Sequence, residues 1–357
     1  MPAARYHAMQ LVDDTGRIAD PQAAAGAAGL RYVSGEDSGI ARHRAGRGFF
    51  YTGSGGGKVR DPATLERIRK LAIPPAWENV WICPQANGHI QATGVDARGR
   101  KQYRYNDDFR ALRETAKFEH ILIFAQALPK IRETVAHDMA RHGLPREKVL
   151  AAVVHLLETT LVRVGNKDYA KDNGSYGLTT LKNPHVAVEG GALRFRFKGK
   201  SGKEWKLKLQ DRRVAKVVRA CQELPGQQLF EYLGEDDAPH GVGSSDVNAY
   251  LKEITGRDIT AKDFRTWFGT VAAAVALHER AAGETVSTKK TLREVIGSVA
   301  ARLGNTPAVC RKCYIHPEVM TGYDLRALNL RVRSRAKKHA LSGEEAAVYR
   351  FLTARLN

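Results

Sequence analysis

The pattern of apolar and polar positions changes near residue 110 of the chain. Before this point, short alternating runs such as Gly48 to Tyr51 and Val80 to Cys83 are separated by turns rich in glycine or proline, which is typical of β-strands. After it, apolar residues recur at helical spacing, as from Phe118 to Leu128 and from Val149 to Val164. The sequence therefore predicts an α+β protein, with a small β-rich N-terminal domain followed by a mostly helical domain.

Three shorter segments refine this division. Between Leu193 and Leu209 apolar residues alternate about a glycine-containing turn, which predicts a β-hairpin within the helical domain. Ser342 and Glu345 have the spacing of a capping box, which predicts that a last helix begins there. The stretch 23–29 is rich in alanine and glycine. The predicted domains are a flexible leader (1–29), a β-rich domain (30–110), a helical domain with the hairpin (111–325) and a basic helical tail (326–357).

The charge of the chain narrows the range of partners. Its 357 residues include 57 Lys and Arg against 38 Asp and Glu, a formal net charge of +19. A surplus of this size favours a polyanionic partner, and nucleic acid is the first candidate. The alternative is a basic protein whose charge only keeps it in solution.

No feature of the sequence indicates a membrane. No apolar run approaches the roughly 20 residues that a membrane span requires, and the N-terminal residues lack the apolar stretch of a signal peptide. The four cysteines are too few and too scattered for a disulfide framework, which fits a reducing cytosol. We therefore expect a cytoplasmic protein, associated with the nucleoid if its partner is DNA.

Two segments have the outline of a metal or nucleotide site but lack necessary residues. Cys310 and Cys313 form a C-x-x-C pair without a second ligand pair at matching spacing. The glycine-rich segment 53–57 precedes a lysine, but Thr52 and Val59 stand where a phosphate-binding loop requires other residues. This segment predicts a hairpin turn instead. We expect neither a metal nor a cofactor.

A basic and aromatic segment after Asp96 is the densest local signal in the N-terminal domain. Arginine and lysine neutralise phosphates, glutamine can pair with an adenine edge, and tyrosine hydroxyls reach phosphate oxygens. The alternative is a solvated edge strand with two half-buried tyrosines. The predicted DNA-contact residues in this segment are Arg98, Arg100, Lys101, Gln102, Tyr103, Arg104 and Tyr105.

Three later segments carry candidate phosphate chemistry. Arg163 closes the most apolar predicted helix, where its charge needs either a helix-terminal carbonyl or a phosphate as a partner. Arg265, which follows Lys262, lies near the predicted start of a helix, where backbone N–H groups favour an anion. Tyr314 follows two basic residues. Each of these residues also has an ordinary structural explanation when taken alone.

The order of these residues resembles one known family. Two well-separated arginines, a lysine on a hairpin between them, a polar donor and a late tyrosine are similar to the bacterial type IB DNA topoisomerases. Those enzymes are related to the poxvirus enzymes and share a catalytic fold with tyrosine recombinases. The resemblance covers roughly residues 30 to 325. Its motifs are Ile73-Pro-Pro-Ala-Trp77, Gly99-Arg-Lys-Gln-Tyr-Arg-Tyr105, Arg163-Val-Gly165, Gly177-Leu-Thr-Thr-Leu181, Phe197-Lys-Gly-Lys200, Lys262-Asp-Phe-Arg265 and Gly304-Asn-Thr-Pro307.

The resemblance implies roles for individual residues. The implied catalytic set is Arg163, Lys200, Arg265, Asn305 and Tyr314. The implied DNA contacts include Gln102, Tyr103, Arg104, Tyr105 and Tyr169, to which we add Lys262. Lys198 and Lys203 flank Lys200 on the same hairpin, and Lys200 is preferred because it follows a glycine as in the family's motif. Poxviral and eukaryotic relatives carry His where Asn305 stands.

The resemblance also implies a fold and a reaction. The two domains would form a C-shaped clamp, and a monomer would hold duplex DNA, preferably supercoiled. Tyr314 would attack a phosphodiester and form a 3′-phosphotyrosyl intermediate, while Lys200 protonates the departing 5′ oxygen. The arginines and Asn305 would stabilise the nonbridging oxygens. Because the ester retains the energy of the broken bond, no ATP is expected. Because fixed cations do what a metal does in other phosphoryl-transfer enzymes, no metal is expected either.

Three alternatives remain at the level of the sequence. A tyrosine recombinase would use the same nucleophile, but it usually carries His-x-x-Arg where this chain has Lys262-Asp-Phe-Arg265, and its N-terminal domain is helical. A non-catalytic DNA-binding protein would explain the charge but not the five-residue set. An enzyme that acts on RNA is the third.

Overall fold

The computed structural model describes residues 20–235, 237–281, 288–333 and 337–356, apart from the side chains of residues 114–117, 119 and 169. Backbone contacts divide the chain into two compact units, residues 1–120 and 121–357, which are described in turn. The predicted domain boundaries stay predictions.

The first unit is built on an antiparallel sheet. Its strands are β1 (Ile40–Ala45), β2 (Gly48–Thr52), β3 (Glu78–Ile82), β4 (Ile90–Val95) and β5 (Lys101–Tyr105). They pair in the order β2–β1–β3–β4–β5, so β5 is an edge strand. The alternating runs predicted to be strands lie in β2 and β3. The glycine-rich segment after β2 is a turn, since the Gly53 N–H donates to the Gly57 carbonyl at 2.9 Å, which confirms the predicted hairpin turn.

Two helices of the first unit are α1 (Pro21–Ala27) and α2 (Pro62–Lys70). Asp20 caps α1 through its carboxylate, and Ala24 and Ala25 are fully buried in a cluster with Phe109. The flexible leader predicted over residues 1–29 is therefore wrong for residues 21–27, because small alanine side chains let this helix approach Phe109 closely. Residues 1–19 of that leader lie outside the described residues.

A 32-residue helix, α3 (Asp107–Asp138), begins in the first unit and continues in the second. Its residues Phe118, Ile121, Phe124 and Leu128 are buried. The helical spacing predicted over this segment is confirmed.

The second unit is mostly helical and is packed around α4 (Arg146–Thr160). The residues of α4 from Val149 to Val154 are completely buried, as expected for a helix that is apolar around most of its circumference. No helix among the described residues is long and apolar enough to cross a membrane. The remaining α-helices are α5 (Lys167–Asn173), α6 (Arg212–Gln222), α7 (Ser244–Thr255), α8 (Ala261–Ala281), α9 (Lys289–Leu303), α10 (Pro307–Cys313), α11 (Pro317–Asp324) and α12 (Gly343–Leu356).

Helix α4 ends earlier than its apolar pattern predicts. Leu161 adopts a left-handed conformation (φ 57°), and its N–H donates to the Leu157 carbonyl. The helix predicted to reach Val164 therefore ends at Thr160, because the apolar residues after it are buried without being helical. Arg163 lies three residues beyond the helix rather than closing it.

A sheet of strands β6 (Val186–Glu189), β7 (Ala192–Lys198) and β8 (Glu204–Gln210) is inserted among these helices. β7 and β8 form the hairpin predicted from alternation, and Leu193, Phe195 and Phe197 point into the core. A small pair, β9 (Glu231–Leu233) and β10 (Pro239–Gly241), was not predicted. The hairpin tip, residues 199–203, connects β7 to β8 and carries Lys200.

Helix α12 is attached to the core by a buried ionic cluster. Ser342 and Glu345 form the predicted capping box, with reciprocal hydrogen bonds of 2.7 and 3.1 Å. Glu345 also accepts a hydrogen bond from Arg132 of α3 at 2.8 Å, and Arg132 donates to Glu158 of α4 at 2.7 Å. Because the Glu345 side chain is only 4% exposed, its charge depends on this arginine.

Replacing Arg132 tests this attachment. Arg132→Met should lower the free energy of unfolding by about 3–5 kcal/mol, because the buried Glu345 carboxylate loses its cation. Arg280→Met is the matched control, since Arg280 pairs with Glu294 on the surface, where both side chains are about half exposed, and it should cost less than about 1 kcal/mol. Urea denaturation followed by circular dichroism measures both. Equal losses would show that the cluster around Arg132 contributes no more than a surface pair.

Candidate active site

Residues from distant parts of the second unit line one cavity of about 280 Å³. Four of the five predicted catalytic residues are among them, together with the predicted DNA contact Lys262. The fifth, Asn305, is hydrogen-bonded to one of the four. The predicted residues that line the cavity are Arg163, Lys200, Lys262, Arg265 and Tyr314.

Arg265 lies in the first turns of α8 and is 3% exposed. Its guanidinium donates to the carbonyl of Leu161 and to that of Leu303, the latter at 2.6 Å. Burial lowers the pKa of Arg265, although arginine stays charged in proteins. Within the part of the chain that the structure describes, its Nε is buried without a hydrogen-bond partner. The cation is therefore fixed in position by backbone groups and retains one unused donor.

Arg163 reaches the same cavity from the segment after α4. Its guanidinium donates to the side-chain oxygen of Asn305 and to the carbonyl of Gly304, at 3.4 Å for the latter. Burial lowers the pKa of Arg163, and the nearby Tyr314 acts in the opposite direction. The sequence predicts either a helix-terminal carbonyl or a phosphate as the partner of Arg163. The structure shows a backbone carbonyl, that of Gly304, together with the side-chain amide of Asn305.

Arg163 determines how the amide of Asn305 is turned. A guanidinium can only donate, so the amide oxygen of Asn305 faces Arg163 and its NH₂ group points away. This Nδ2 is buried and has no hydrogen-bond partner among the described residues. A buried donor without an acceptor costs free energy. Asn305 is thus an oriented donor that a substrate oxygen would satisfy.

The backbone around Asn305 explains why it is not simply a helix cap. α9 ends at Gly304 in the left-handed conformation (φ 62°), and the Asn305 N–H donates to the Ala300 carbonyl at 2.9 Å. The next helix, α10, is capped by the hydroxyl of Thr306, not by Asn305. The Asn305 side chain is therefore not used to cap the helix that begins at Pro307.

Tyr314 follows α10 directly and is held by its backbone. Its N–H donates to the Cys310 carbonyl at 2.9 Å, and its own carbonyl accepts from the Thr270 hydroxyl at 3.3 Å. A β-carbon on Gly269 of α8 would lie 2.7 Å from that carbonyl, so only glycine allows this approach. The half-buried ring lies with its centroid 5.0 Å from the Arg265 guanidinium carbon.

The hairpin tip carries the lysine candidates. Lys200 lines the cavity. Lys203 instead donates from Nζ to the Ala301 carbonyl at 3.1 Å, and Lys198 is the last residue of β7, exposed to solvent. These positions favour Lys200 over its two neighbours, and its role stays a prediction.

In the first unit, the predicted DNA-contact segment forms β5 and the turn before it. Arg100 and Gln102 both donate to the Asp96 carboxylate, at 2.9 Å each, and the Arg100 bond lowers the pKa of Asp96 to about 2. Arg104 donates to the Ala72 carbonyl at 2.8 Å. Arg100, Gln102 and Arg104 are therefore engaged in hydrogen bonds within the first unit.

Lys101, Tyr103 and Tyr105 alternate with Gln102 and Arg104 along β5, so their side chains lie on the other face of the strand. Lys101 and Tyr103 are exposed, the Lys101 ammonium lies 5.9 Å from the Tyr103 ring centroid, and the Tyr103 and Tyr105 rings are stacked at 5.8 Å. Arg98, in the turn, is exposed as well. The side chain of Tyr169, in α5, lies outside the described residues. The structure thus divides the predicted contacts into an exposed set and a set that holds the strand in place.

Sequence reasoning missed several residues that position the site. Thr270 and Gly269 hold the backbone of Tyr314, and Trp205 of β8 packs on the glycine before Asn305. The residue types alone carry no signal of these contacts. Among the described residues, no group of three or more His, Cys, Asp or Glu side chains could hold a metal ion.

Comparisons with known proteins identify the family of the chain. A family model described as the catalytic core of eukaryotic DNA topoisomerase I matches residues 106–340, and one described as the N-terminal domain of bacterial DNA topoisomerase IB matches residues 48–96. Among solved structures, a site-specific recombinase in a pre-cleavage complex with its DNA substrate has 12% identity and a TM-score of 0.34, over 60% of this chain and 63% of that one.

Two viral proteins show the same relationship. The DNA topoisomerase 1B of Acanthamoeba polyphaga mimivirus is 32% identical over 285 residues, which cover 78% of this chain and 85% of the relative. The DNA topoisomerase 1B of vaccinia virus (strain Copenhagen) is 23% identical over 272 residues, 73% of this chain and 82% of the relative. The first family model alone spans more than half of the chain, and the chain therefore belongs to the type IB DNA topoisomerases.

Proposed function

We propose that the protein relaxes supercoiled duplex DNA by cleaving one strand with Tyr314 and then resealing it. The observation that supports this assignment is the position of the Tyr314 ring in one cavity with Arg163 and Arg265. Attack on a phosphodiester develops negative charge on the oxygens of the phosphate, which nearby cations stabilise. Two guanidinium groups beside one tyrosine supply these cations.

The proposed reaction exchanges one phosphodiester for another. The hydroxyl oxygen of Tyr314 attacks the phosphorus as its proton passes to solvent water, and the bond from phosphorus to the 5′ oxygen breaks. The departing oxygen takes a proton, for which Lys200 is the proposed donor. The strand then has a free 5′ hydroxyl and a 3′ phosphate esterified to Tyr314. Attack by the 5′ hydroxyl reverses the step, so no ATP is consumed.

The arginines are proposed to bind the nonbridging oxygens of the transition state. Arg265 is buried and Arg163 is partly buried, and the oxygens to which they donate belong to carbonyl and amide groups rather than to carboxylates. A phosphate in the cavity would compensate both charges. Because the guanidinium groups are already fixed, little reorganisation would be needed during the reaction.

Asn305 is proposed as a third donor to the phosphate. Its NH₂ group is oriented by Arg163 and lacks an acceptor. A neutral amide stabilises an oxyanion without adding an ionisation near neutral pH. This would let it occupy the place of the histidine found in poxviral and eukaryotic relatives.

The exposed set on β5, together with Lys262 at the cavity, is proposed to contact the DNA backbone. Lys101 and Arg98 offer charge, and Tyr103 offers a ring and a hydroxyl. We further propose that a single chain acts on the duplex and that supercoiled DNA is preferred, since relief of torsional strain favours the swivelled product.

The nucleophile can be tested with supercoiled plasmid in EDTA without ATP. Tyr314→Phe removes only the attacking oxygen, so it should bind DNA but neither relax the plasmid nor form a covalent adduct after rapid denaturation in detergent. Tyr176→Phe is the matched control, because Tyr176 lines the same cavity and should still form the adduct. Relaxation by Tyr314→Phe near the wild-type rate would exclude Tyr314 as the nucleophile.

Asn305 can be tested by single-turnover cleavage against pH. Asn305→Ala should slow cleavage by about 10² to 10³-fold, the usual effect of losing one oxyanion donor. Asn305→Asp keeps the oxygen for Arg163 but has no NH₂, and it should be at least as slow. Asn305→His should retain substantial activity, with a pH dependence around 6 to 7 where imidazole titrates. A fast Asn305→Asp beside a slow Asn305→Ala would mean that Asn305 acts only by orienting Arg163.

The DNA-contact surface can be tested through the salt dependence of binding. Lys101→Ala should reduce the slope of log affinity against log salt by about 0.9 if one phosphate contact is lost. Arg100→Ala should reduce it less, because Asp96 already balances that charge. Lys70→Ala, which removes an exposed charge at the end of α2, serves as the control and should leave the slope unchanged. An unchanged slope for Lys101→Ala would mean that this face of β5 contacts only solvent.

A further inference from the structure

The indole of Trp205 packs against two glycines of the second unit. Trp205 is in β8 and is 7% exposed. A β-carbon built on Gly199 would lie 2.6 Å from its Nε1, and one built on Gly304 would lie 2.5 Å from its Cζ2. The five-membered ring therefore packs on one glycine and the six-membered ring on the other.

Each of these glycines directly precedes a proposed catalytic residue. Gly199 precedes Lys200 at the hairpin tip, and Gly304 precedes Asn305 after α9. The backbone positions of the proposed acid and of the proposed amide donor are thus both set against a single rigid ring system.

Other contacts hold this arrangement together. Phe197, which is paired with Trp205 across the hairpin, stacks on it with ring centroids 6.2 Å apart and planes 8° apart. Lys203, from the same tip, donates to the carbonyl of Ala301 in the last turn of α9. The hairpin is therefore attached to the end of α9 through both Lys203 and Trp205.

We propose that Trp205 is a positioning residue that sets Lys200 and Asn305 in register with one another. This inference rests on the proposed function, in which Lys200 is the general acid. Trp205 does not line the catalytic cavity and would act only through the two residues beside it. A misplacement of about 1 Å at a reacting group can cost on the order of 10²-fold in rate, so a ring that fixes two such groups has a measurable effect.

The identity of the leaving group separates positioning from general support of the fold. A 5′ thiol leaves without needing a proton, so its departure is insensitive to the acid. A variant that only loosens the unit slows cleavage with either leaving group. Displacement of Lys200 slows departure of a 5′ oxygen more than departure of a 5′ sulfur.

The experiment measures single-turnover cleavage by Trp205→Ala with both substrates. With the oxygen substrate we expect slowing of roughly 10²-fold, and with the sulfur substrate clearly less. In a Lys200→Ala background, Trp205→Ala should slow the oxygen substrate by less than it does in the wild-type background, because only the displacement of Asn305 then remains. Gly199→Ala is the second variant and serves if Trp205→Ala does not fold. The backbone of Gly199 (φ −98°) accepts alanine. The new methyl group would lie too close to Nε1 of Trp205 and would displace the indole.

Phe195→Leu is the matched control. Phe195 is buried in the same strand as Phe197, two residues before it, and Phe197 is the residue that stacks on Trp205. Phe195→Leu should affect both substrates alike. Equal slowing of both substrates in Trp205→Ala and Gly199→Ala, or selective slowing in Phe195→Leu, would overturn the positioning role while leaving the proposed function intact. If the thiol substrate does not rescue Lys200→Ala itself, the acid assignment fails, and the role of Trp205 fails with it.

Discussion

A buried positive charge is the constraint on which the second unit depends. Arg265 is almost completely enclosed and cannot give up its proton. Its compensation comes from the carbonyls of Leu161 and Leu303, at the ends of α4 and α9. Carbonyls at a helix C-terminus are unsatisfied and carry partial negative charge. The ends of two core helices therefore meet at one guanidinium group. This brings Arg163 to the cavity and places Asn305 beside Arg163.

Much of the site could be predicted because it depends on residue types in a fixed order. Arginine, lysine and tyrosine have distinct roles at a phosphodiester, and few arrangements of them along a chain serve that chemistry. The hairpin that carries Lys200 was predictable as well, since alternation is a local property of the sequence. The capping box at Ser342 is local in the same sense, and it too was confirmed.

What could not be predicted depends on conformations and contacts that residue types do not determine. A left-handed leucine ends α4, although nothing in its apolar sequence marks a stop. Helix α1 was missed because its burial relies on two alanines rather than on a stripe of large residues. The orientation of the Asn305 amide follows only from its contact with Arg163, which is far away in the sequence. Buried donors without acceptors, as at Asn305 and Arg265, are features that folding alone would disfavour.

The cluster around Arg132 has a consequence for the order in which the protein is made. A chain leaves the ribosome from its N-terminus, and its domains fold as their residues appear. Arg132 therefore meets Glu158 early, whereas Glu345 follows only after every residue of the cavity has been synthesised. Until then the space that α12 occupies against the core is open to water, and the arginine is only partly compensated. In a nascent chain that has exposed Tyr314 but not Glu345, the core therefore lacks the support of α12, and full consolidation of the cavity waits for that helix.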